Sequence, residues 1–284
     1  MKEASFYTKK ANGVTVCLLC PHSCHIVKGR TGFCRARKNI DGTLIAEGYG
    51  RIVSLALDPI EKKPLHKFHP GTMILSVGNY GCNMKCHYCQ NHTISQQTRH
   101  ADFIPPEKLL ELAQNASNNI GIAFTYNEPL INPEYILDTA PLFKAHGLKI
   151  ALVTNGMIRS EPFQALLPYI DTVNIDVKTF DANKYKKLGG NLTTVMNTVE
   201  TCAHAGINVE ITSLIVPGQN DNAKDMHAQC QWLAKISPDI PLHLSRFFPN
   251  YKMTNASPTP IETLEEMAGI AKQYLKYVSI GNVR

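Results

Sequence analysis

Three cysteines in one short loop constrain this chain more than any other feature of its sequence. Cys82, Cys86 and Cys89 have the spacing C-x3-C-x2-C and follow an apolar run at 73–77 that is typical of a buried strand. With 9 cysteines in 284 residues, this spacing arises by chance about one time in a hundred. A tight loop can turn three thiolates toward one point, and an iron–sulfur cluster with only three thiolate ligands keeps one iron open. We therefore expect a cluster that accepts a ligand from outside the protein.

The composition limits the class of protein and the compartment in which it works. Apolar residues make up 44% of the sequence, which is ample for a buried core and argues against disorder. No apolar run approaches the length of about 18 residues that a membrane span needs, and residues 1–10 lack the apolar core of a signal peptide. An odd number of cysteines, mostly at metal-ligand spacing, favours a reducing compartment. We therefore expect a cytoplasmic protein without membrane contact.

The charge pattern bears on the choice of partner. The formal net charge is +6, but the basic residues are dispersed along the chain. A zinc-ribbon protein that binds nucleic acid would need a contiguous basic stripe with interleaved aromatic residues, which this sequence lacks. The positive charge instead suits an acidic protein partner, such as the electron donors flavodoxin or ferredoxin.

A second set of cysteines lies near the N-terminus. It has the spacing C-x2-C-x3-C-x9-C and comprises Cys17, Cys20, Cys24 and Cys34. The few apolar residues around it cannot bury a core by themselves, and a bound metal would supply the missing stability. Four thiolates can hold either a zinc ion or a second iron–sulfur cluster, and the spacing does not separate the two. His22 and His25 lie close enough in sequence to add to the ligand set.

The division of the chain follows from these patterns. We predict a metal-binding N-terminal module with a lead-in over residues 1–71, and a core domain over residues 72–284. Within the lead-in, residues 43–48 and 51–57 are expected to pair as strands around a glycine-rich turn. The charged run at 58–65 is expected to be a solvated connector.

From residue 72 onward, apolar runs alternate with segments of helical periodicity. The apolar runs fall at 73–77, 120–125, 149–153, 172–176, 208–216 and 242–247. Six strands joined by right-handed helical crossovers predict an α/β fold, a partial (β/α)6 barrel of the TIM type. Chemistry in such barrels gathers at the C-terminal ends of the strands. The cysteine loop follows the first of these strands, where a reactive cluster is expected.

Polar side chains occupy other strand ends of the predicted barrel. Glu128 follows the second strand and can accept hydrogen bonds from an ammonium group, although a simple loop glutamate is an equal alternative. Asp176 and Lys178 share one face of the fourth strand and can bind a zwitterion, or form only a strand-end ion pair. His243 lies on the sixth strand, where a single histidine is more often a core residue than a catalytic one.

The cysteine loop, with Tyr88 just before its last cysteine, resembles the cluster motif of radical S-adenosylmethionine (SAM) enzymes. The resemblance implies that Cys82, Cys86 and Cys89 bind a 4Fe–4S cluster whose open iron chelates SAM. In that family, one electron cleaves SAM to methionine and a 5′-deoxyadenosyl radical, which abstracts a hydrogen atom. Only Glu128 and Pro129 match the family's Gly-Gly-Glu-Pro motif for the amino group of SAM.

The resemblance extends over residues 72–251 with one motif at each strand end. It implies contacts to SAM from Tyr88 (through its backbone), Glu128, Asn155, Asp176, Lys178, Ile215 and His243. The N-terminal cysteines, the run at 58–65 and the loop at 86–91 together resemble the branch of AmmeMemoRadiSam-system proteins, which is related to pyruvate formate-lyase activating enzymes.

The function implied by this resemblance is hydrogen abstraction, with the Cα–H of a glycine in a partner protein as one target. A radical SAM enzyme that acts on a small molecule or on RNA is the alternative within the same class. An iron–sulfur electron-transfer protein is the alternative from another class, but it leaves Glu128, Asp176 and Lys178 unexplained and predicts no binding of SAM.

Overall fold

A sheet of eight strands forms the centre of the structure, a computed structural model that describes residues 1–98 and 101–283. The strands in chain order are β1 (Tyr7–Lys9), β2 (Thr15–Cys17), β3 (His25–Ile26), β4 (Arg37–Ile40), β5 (Thr43–Ala46), β6 (Arg51–Ile52), β7 (Ser54–Pro59), β8 (Met73–Gly78), β9 (Asp102–Phe103), β10 (Asn119–Phe124), β11 (Lys149–Thr154), β12 (Thr172–Asp176), β13 (Asn208–Ile215), β14 (Leu242–Arg246) and β15 (Val278–Gly281). The helices are α1 (His92–Ser95), α2 (Pro106–Asn115), α3 (Pro133–Ala145), α4 (Ser160–Leu166), α5 (Ala182–Lys187), α6 (Leu192–His204), α7 (Ala223–Ile236) and α8 (Ile261–Ala271).

The central sheet has the strand order β15-β14-β13-β12-β11-β10-β8-β7. The six predicted strands are β8 and β10 to β14, and neighbours among them pair in parallel. Two further strands were not predicted to belong to this sheet. Strand β7, which overlaps the strand predicted at 51–57, joins one edge in antiparallel orientation, and β15 extends the other edge in parallel. In the part of the chain that the structure describes, β7 and β15 do not pair with each other. The sheet is therefore an open α/β barrel, as the sequence predicts.

Helices α2, α3, α6 and α8 pack on the sheet through their buried apolar residues. In α6, Val195, Val199 and Cys202 are fully buried, which confirms the predicted helical stripe. The side chain of Asn191 caps this helix by accepting a hydrogen bond from the backbone N–H of Thr194. Within residues 1–98 and 101–283, no helix combines the length and apolar character required to cross a bilayer.

The strand pairing predicted for residues 43–48 and 51–57 is wrong. Strand β5 pairs instead with β4, through a turn in which Asp41 and Gly42 both have positive φ angles of 51° and 82°. An Asp-Gly pair with this geometry is a strong hairpin signal, because its twist matches that of the flanking strands. Strand β7 finds its partner in β8 of the central sheet, so one strand of that sheet lies before residue 72.

The charged run at 58–65 is not a solvated connector. We call residues 58–71 the plug, because Ile60 and Leu65 are fully buried against the face of the sheet opposite the helices. The backbone N–H groups of His66 and Lys67 donate to the carboxylate of Glu210 on β13, at 2.9 and 2.8 Å. These contacts anchor the segment to the sheet, although His66 and Lys67 are themselves exposed, and a buried acceptor satisfies their backbone donors.

Candidate active site

A cavity of about 680 Å³ lies on the face of the sheet that the plug also occupies. This volume falls in the range of small-molecule and cofactor sites. The cavity walls include Cys82, Cys86, Cys89, Glu128, Asp176 and Lys178. These residues lie at the ends of three different strands, β8, β10 and β12, so the structure brings together side chains that lie up to about 100 positions apart in sequence.

The cysteine loop is held in place by its backbone and by one buried amide. Gly81 has a φ of +90°, and a Cβ atom at this position would overlap the carbonyl oxygen of Cys34, so only glycine fits. The buried side chain of Asn83 donates to the carbonyl oxygen of Met157 at 2.7 Å. The backbone N–H of Lys85 donates to the carbonyl oxygen of Leu188 at 2.8 Å. The loop is thereby attached both to the N-terminal module and to the core.

The sulfur atoms of the loop already have hydrogen-bonding partners. The Cys82 sulfur accepts from the backbone N–H of Met84 at 3.3 Å and from the side-chain amide of Asn155 at 3.6 Å. The Cys89 sulfur lies 3.1 Å from the hydroxyl of Ser95. Such donors stabilise the thiolate ligands of iron–sulfur clusters.

Burial acts in the opposite direction on these thiols. It raises the pKa of Cys82 well above its ordinary value and that of Cys86 to about 11, so both are neutral unless a positive charge is close. The iron ions of a cluster supply that charge. Among residues 1–98 and 101–283, no three Cys, His, Asp or Glu side chains are grouped tightly enough to hold a single metal ion. In a 4Fe–4S cluster each cysteine binds a different iron, so its ligands need not meet at one point.

Glu128 connects the ends of two neighbouring strands. Its buried carboxylate accepts hydrogen bonds from the backbone N–H of Leu130 (2.9 Å), the hydroxyl of Thr154 (2.6 Å) and the backbone N–H of Asn155 (2.8 Å). Burial raises its pKa to about 7, despite these three donors. A carboxylate offers about four acceptor sites, so three internal donors leave it one position toward the cavity.

Asn155 links this strand end to the cysteine loop. Its backbone N–H donates to Glu128, and its side-chain amide donates both to the side-chain Oδ1 of Asn83 at 2.9 Å and to the Cys82 sulfur. Asn155 therefore contacts the cluster loop directly, whereas the resemblance implied only a contact to SAM.

Asp176 and Lys178 form an ion pair in the cavity wall. The ammonium nitrogen of Lys178 lies 2.9 Å from a carboxylate oxygen of Asp176. Burial alone would lower the pKa of Lys178, but the adjacent Asp176 and Cys86 outweigh it and raise the pKa above its usual value. Both alternatives considered from the sequence are compatible with this arrangement, because the pair is formed and also faces the cavity.

His243 lines the same cavity, with both ring nitrogens already engaged. One nitrogen lies 2.7 Å from the carboxylate of Glu210 and the other lies 2.7 Å from the hydroxyl of Ser279. Its ring also contacts that of His66 from the plug, at a centroid distance of 4.4 Å. A contact from His243 to SAM would require one of these hydrogen bonds to break.

The two remaining candidates occupy different positions. Tyr88 is buried in the cavity wall, and burial raises the pKa of its hydroxyl well above the ordinary value. Ile215 is fully buried outside the residues that line the cavity, whereas the adjacent Leu214 lines it. The alternation of side chains along a strand explains why one of these neighbours faces the cavity and the other the core.

Sequence reasoning missed the part of the cavity wall that the plug supplies. Lys63 and His66 both line the cavity, and Lys63 is buried with its ammonium group 2.6 Å from Asp58. The only signal was the pair of apolar residues Ile60 and Leu65 inside an otherwise charged run. Two apolar residues cannot distinguish a buried segment from a surface one.

An open parallel barrel with three thiols at the end of its first parallel strand defines an iron–sulfur enzyme with a ligand pocket beside its cluster. The sequence profile of the Radical SAM superfamily matches residues 77–230. The chain therefore belongs to the Radical SAM superfamily, whose cofactors are a 4Fe–4S cluster and SAM.

The chain is also similar to three individual proteins. An uncharacterised protein of Methanocaldococcus jannaschii is 44% identical over 100% of this chain and 86% of its own length. The pyruvate formate-lyase 1-activating enzyme of Escherichia coli K12 is 24% identical over 68% of this chain and 86% of its own. The crystal structure of a radical SAM methyltransferase from Sphaerobacter thermophilus has the same fold, with 13% identity and a TM-score of 0.57 over 75% of this chain and 67% of that one.

Proposed function

We propose that this protein is an activating enzyme that abstracts a hydrogen atom from a glycine in a partner protein. The similarity to the pyruvate formate-lyase 1-activating enzyme carries the proposal, because it spans 68% of this chain and 86% of that enzyme. The ion pair of Asp176 and Lys178, and the contact of Asn155 with the cysteine loop, lie inside the matched core and agree with it.

In this proposal Cys82, Cys86 and Cys89 hold the 4Fe–4S cluster. Their burial and the donors to their sulfurs suit thiolates that are neutralised by iron. When bound, cluster and SAM together supply the radical that takes the hydrogen atom. The chain itself binds these groups, orients them and keeps water away from them.

The remaining cavity residues bind the two charged ends of SAM. Glu128 keeps one acceptor position for the ammonium group, provided that its carboxyl group is ionised. Lys178 is cationic and can bind the carboxylate, while Asp176 can accept from the ammonium group. Tyr88 and His243 are assigned to the nucleoside end. On β13, Leu214 replaces the predicted Ile215 in this role, because Leu214 lines the cavity and Ile215 is buried away from it.

The partners of the reaction follow from charge and from the shape of the cavity. An acidic donor such as flavodoxin or ferredoxin suits a chain with a net charge of +6. The cavity reaches both edges of the open sheet, since Lys62 beside β7 and Asn282 beside β15 both line it. A cavity that opens between two sheet edges can admit an extended segment of a protein substrate, whereas a fully enclosed cavity cannot.

The test begins with anaerobic reconstitution of the protein, reduction with dithionite and addition of SAM. Wild-type protein should form 5′-deoxyadenosine, and a Cys82→Ala/Cys86→Ala/Cys89→Ala variant should not. Absence of the product from protein that carries its full complement of iron would contradict radical SAM chemistry and favour electron transfer.

The choice of substrate requires a second step. Peptides containing glycine deuterated at Cα are added, and deuterium in the 5′-deoxyadenosine is measured by mass spectrometry. Transfer from glycine supports the activating function. Product without deuterium from any peptide, but with deuterium from a labelled small molecule or RNA, would replace it with the corresponding alternative.

A further inference from the structure

We propose that the four N-terminal cysteines bind one zinc ion, which supports the loop that carries the active-site cysteines. Cys17 ends β2, Cys20 lies in the turn that follows, and Cys24 directly precedes β3. Cys34 comes shortly before β4. The fold therefore brings two cysteine-bearing turns together, as four-thiolate zinc sites do.

The space between these thiols distinguishes a single ion from a cluster. The four cysteines line an internal void with room for about one water-sized sphere, roughly 10 Å³. A cluster adds several irons and sulfides between its ligands, and the void has no space for them. The cavity beside Cys82, Cys86 and Cys89 holds about 680 Å³ in the same structure. The difference in space favours zinc at the N-terminal site.

A buried arginine provides independent support for an anionic group in this void. Arg37 lines the void and is 1% exposed. Its terminal nitrogens bind Glu134, but its Nε atom has no hydrogen-bond partner among the described residues. Zinc bound by four thiolates carries a net negative charge, and its sulfurs accept hydrogen bonds. A free N–H on a cationic side chain suits such a group.

One N–H···S hydrogen bond of the expected kind is already present. The backbone N–H of Phe33 donates to the Cys24 sulfur at 3.5 Å. In the described residues no three of the thiols are grouped tightly enough to hold one ion, so binding requires these side chains to turn toward the void. Three of the four cysteines are buried, and they lie behind an apolar wall that includes Leu19, Ile26 and Ile131.

The module contacts the active-site loop directly, which gives the zinc ion a role in supporting it. The carbonyl oxygen of Cys34 lies against Gly81, the residue before Cys82. A ring nitrogen of His22 lies 2.8 Å from the carbonyl oxygen of Asn83 in the same loop. The ring of His22 stacks on Phe33, which fixes its orientation. A zinc ion that holds residues 17–34 together therefore also holds one side of the active-site loop.

The test is to count metals in protein purified without oxygen, independently of any activity. We expect about one zinc per chain, with zinc–sulfur distances of about 2.3 Å in X-ray absorption spectra. The Cys82→Ala/Cys86→Ala/Cys89→Ala variant should lose iron and keep this zinc. Metal content does not depend on SAM cleavage, so failure of this proposal is distinguishable from failure of the proposed function.

Variants assign the zinc to its ligands. A Cys17→Ser/Cys20→Ser variant should lose zinc and keep its iron, whereas a Cys202→Ser/Cys230→Ser control, which alters two buried core thiols, should keep both. If the first variant does not fold, titration of wild-type protein with an organomercurial should release zinc as the N-terminal thiols react. A protein without zinc, or a first variant that loses iron instead, overturns the proposal.

Discussion

The two cysteine sets of this protein use the same ligand chemistry in opposite surroundings. Cys82, Cys86 and Cys89 border a cavity of about 680 Å³, whereas Cys17, Cys20, Cys24 and Cys34 surround a void of about 10 Å³. The first set therefore leaves room for a ligand from outside, and the second excludes one. Under the two proposals made above, the space around the thiols, rather than their identity, would separate a reactive metal centre from a structural one.

The comparison is tested most strongly by removing one active-site thiol. Cys86→Ser should lower 5′-deoxyadenosine formation by more than about a thousandfold, because the cluster loses a ligand. The melting temperature should change little, since serine is close in size to cysteine and the side chain borders the cavity on one side. Chromatography of the reaction products measures the first effect and calorimetry the second. Cys230→Ser, a buried thiol outside both sets, is the control, and equal losses in the two variants would contradict the prediction.

For the N-terminal cysteines we expect a large effect on stability and a smaller effect on activity. Cys17→Ser/Cys20→Ser should lower the melting temperature by about 10 °C, because a structural zinc ion contributes to folding directly. Formation of 5′-deoxyadenosine should fall less than in Cys86→Ser, by about tenfold, since the active-site loop loses support but keeps its ligands. A variant with unchanged melting temperature and no activity would reverse the roles of the two sets.

A pH-dependent change in stability is expected from Glu128, which lines the large cavity beside the active-site cysteines. Glu128 has a pKa raised from 4.5 to about 7 by burial, so the folded chain binds this proton more tightly than the unfolded chain does. The stability from this group is complete below pH 4.5 and is lost as the pH rises through 7. Relative to Glu128→Gln, wild-type protein without cofactors should lose about 3 kcal/mol of unfolding free energy between pH 5 and 8.

Glu210 supplies the matched control for this pH effect. Burial opposes the ionised form of its carboxyl group, but the hydrogen bonds from His243, Lys67 and His66 outweigh burial and lower its pKa. Its stabilising contribution is present above its ordinary pKa and is lost only as the pH falls below it. The imidazoles of His243 and His66 lie beside this carboxylate, so the control is made in a His66→Gln/His243→Gln background. In that background, denaturant unfolding of Glu210→Gln should show no relative change between pH 5 and 8. If unfolding free energy depends on pH in the same way for the Glu128 and Glu210 variants, the raised pKa of Glu128 is not the source of the effect.

A smaller effect is expected for the acid–base pair in the cavity wall. Asp176→Asn should raise the dissociation constant of SAM about tenfold, which corresponds to about 1.4 kcal/mol. Calorimetric titration of reconstituted protein measures this change. Asp181→Asn is the control, because Asp181 caps α5 outside the cavity. An unchanged dissociation constant would mean that the pair of Asp176 and Lys178 is only a strand-end ion pair.

The smallest effect concerns the contact between the two cysteine sets. His22→Phe keeps an aromatic ring beside Phe33 but removes the hydrogen bond to the carbonyl of Asn83. We expect a loss of about 1 kcal/mol in unfolding free energy, the usual value of one such bond. Denaturant titration measures it, and His25→Phe, at an exposed position, is the control. If His22→Phe also loses iron, the N-terminal cysteines and the active-site loop are coupled more strongly than one hydrogen bond accounts for.

The sequence predicted the parts of the fold that repeat a strong local pattern. The six parallel strands are rich in apolar residues, near-continuously in β8, β10 and β11 and in alternation with polar residues in β12, β13 and β14. Strand β15 was missed because Val278–Gly281 is short and only half-buried. The plug was missed because its buried position depends on Glu210, which lies more than 140 residues away and accepts its backbone donors.

The candidate site was predicted to a similar extent. Motifs at strand ends identified Glu128, Asp176 and Lys178, which the structure brings to one cavity. The hydrogen bonds of Asn155 to the cysteine loop and of His243 to Glu210 were not predictable. They depend on how neighbouring strands are aligned, and local sequence does not encode that alignment.

The contact between Cys34 and Gly81 has a consequence for electron flow. The active-site cluster receives one electron at a time, and each electron must reach SAM rather than another acceptor. A second iron–sulfur cluster at contact distance would compete for that electron. Zinc has no accessible second oxidation state, so the zinc ion proposed for the N-terminal module would accept no electron from the loop on that side. The electron donor must then approach the cluster from a surface other than the one that the N-terminal module covers.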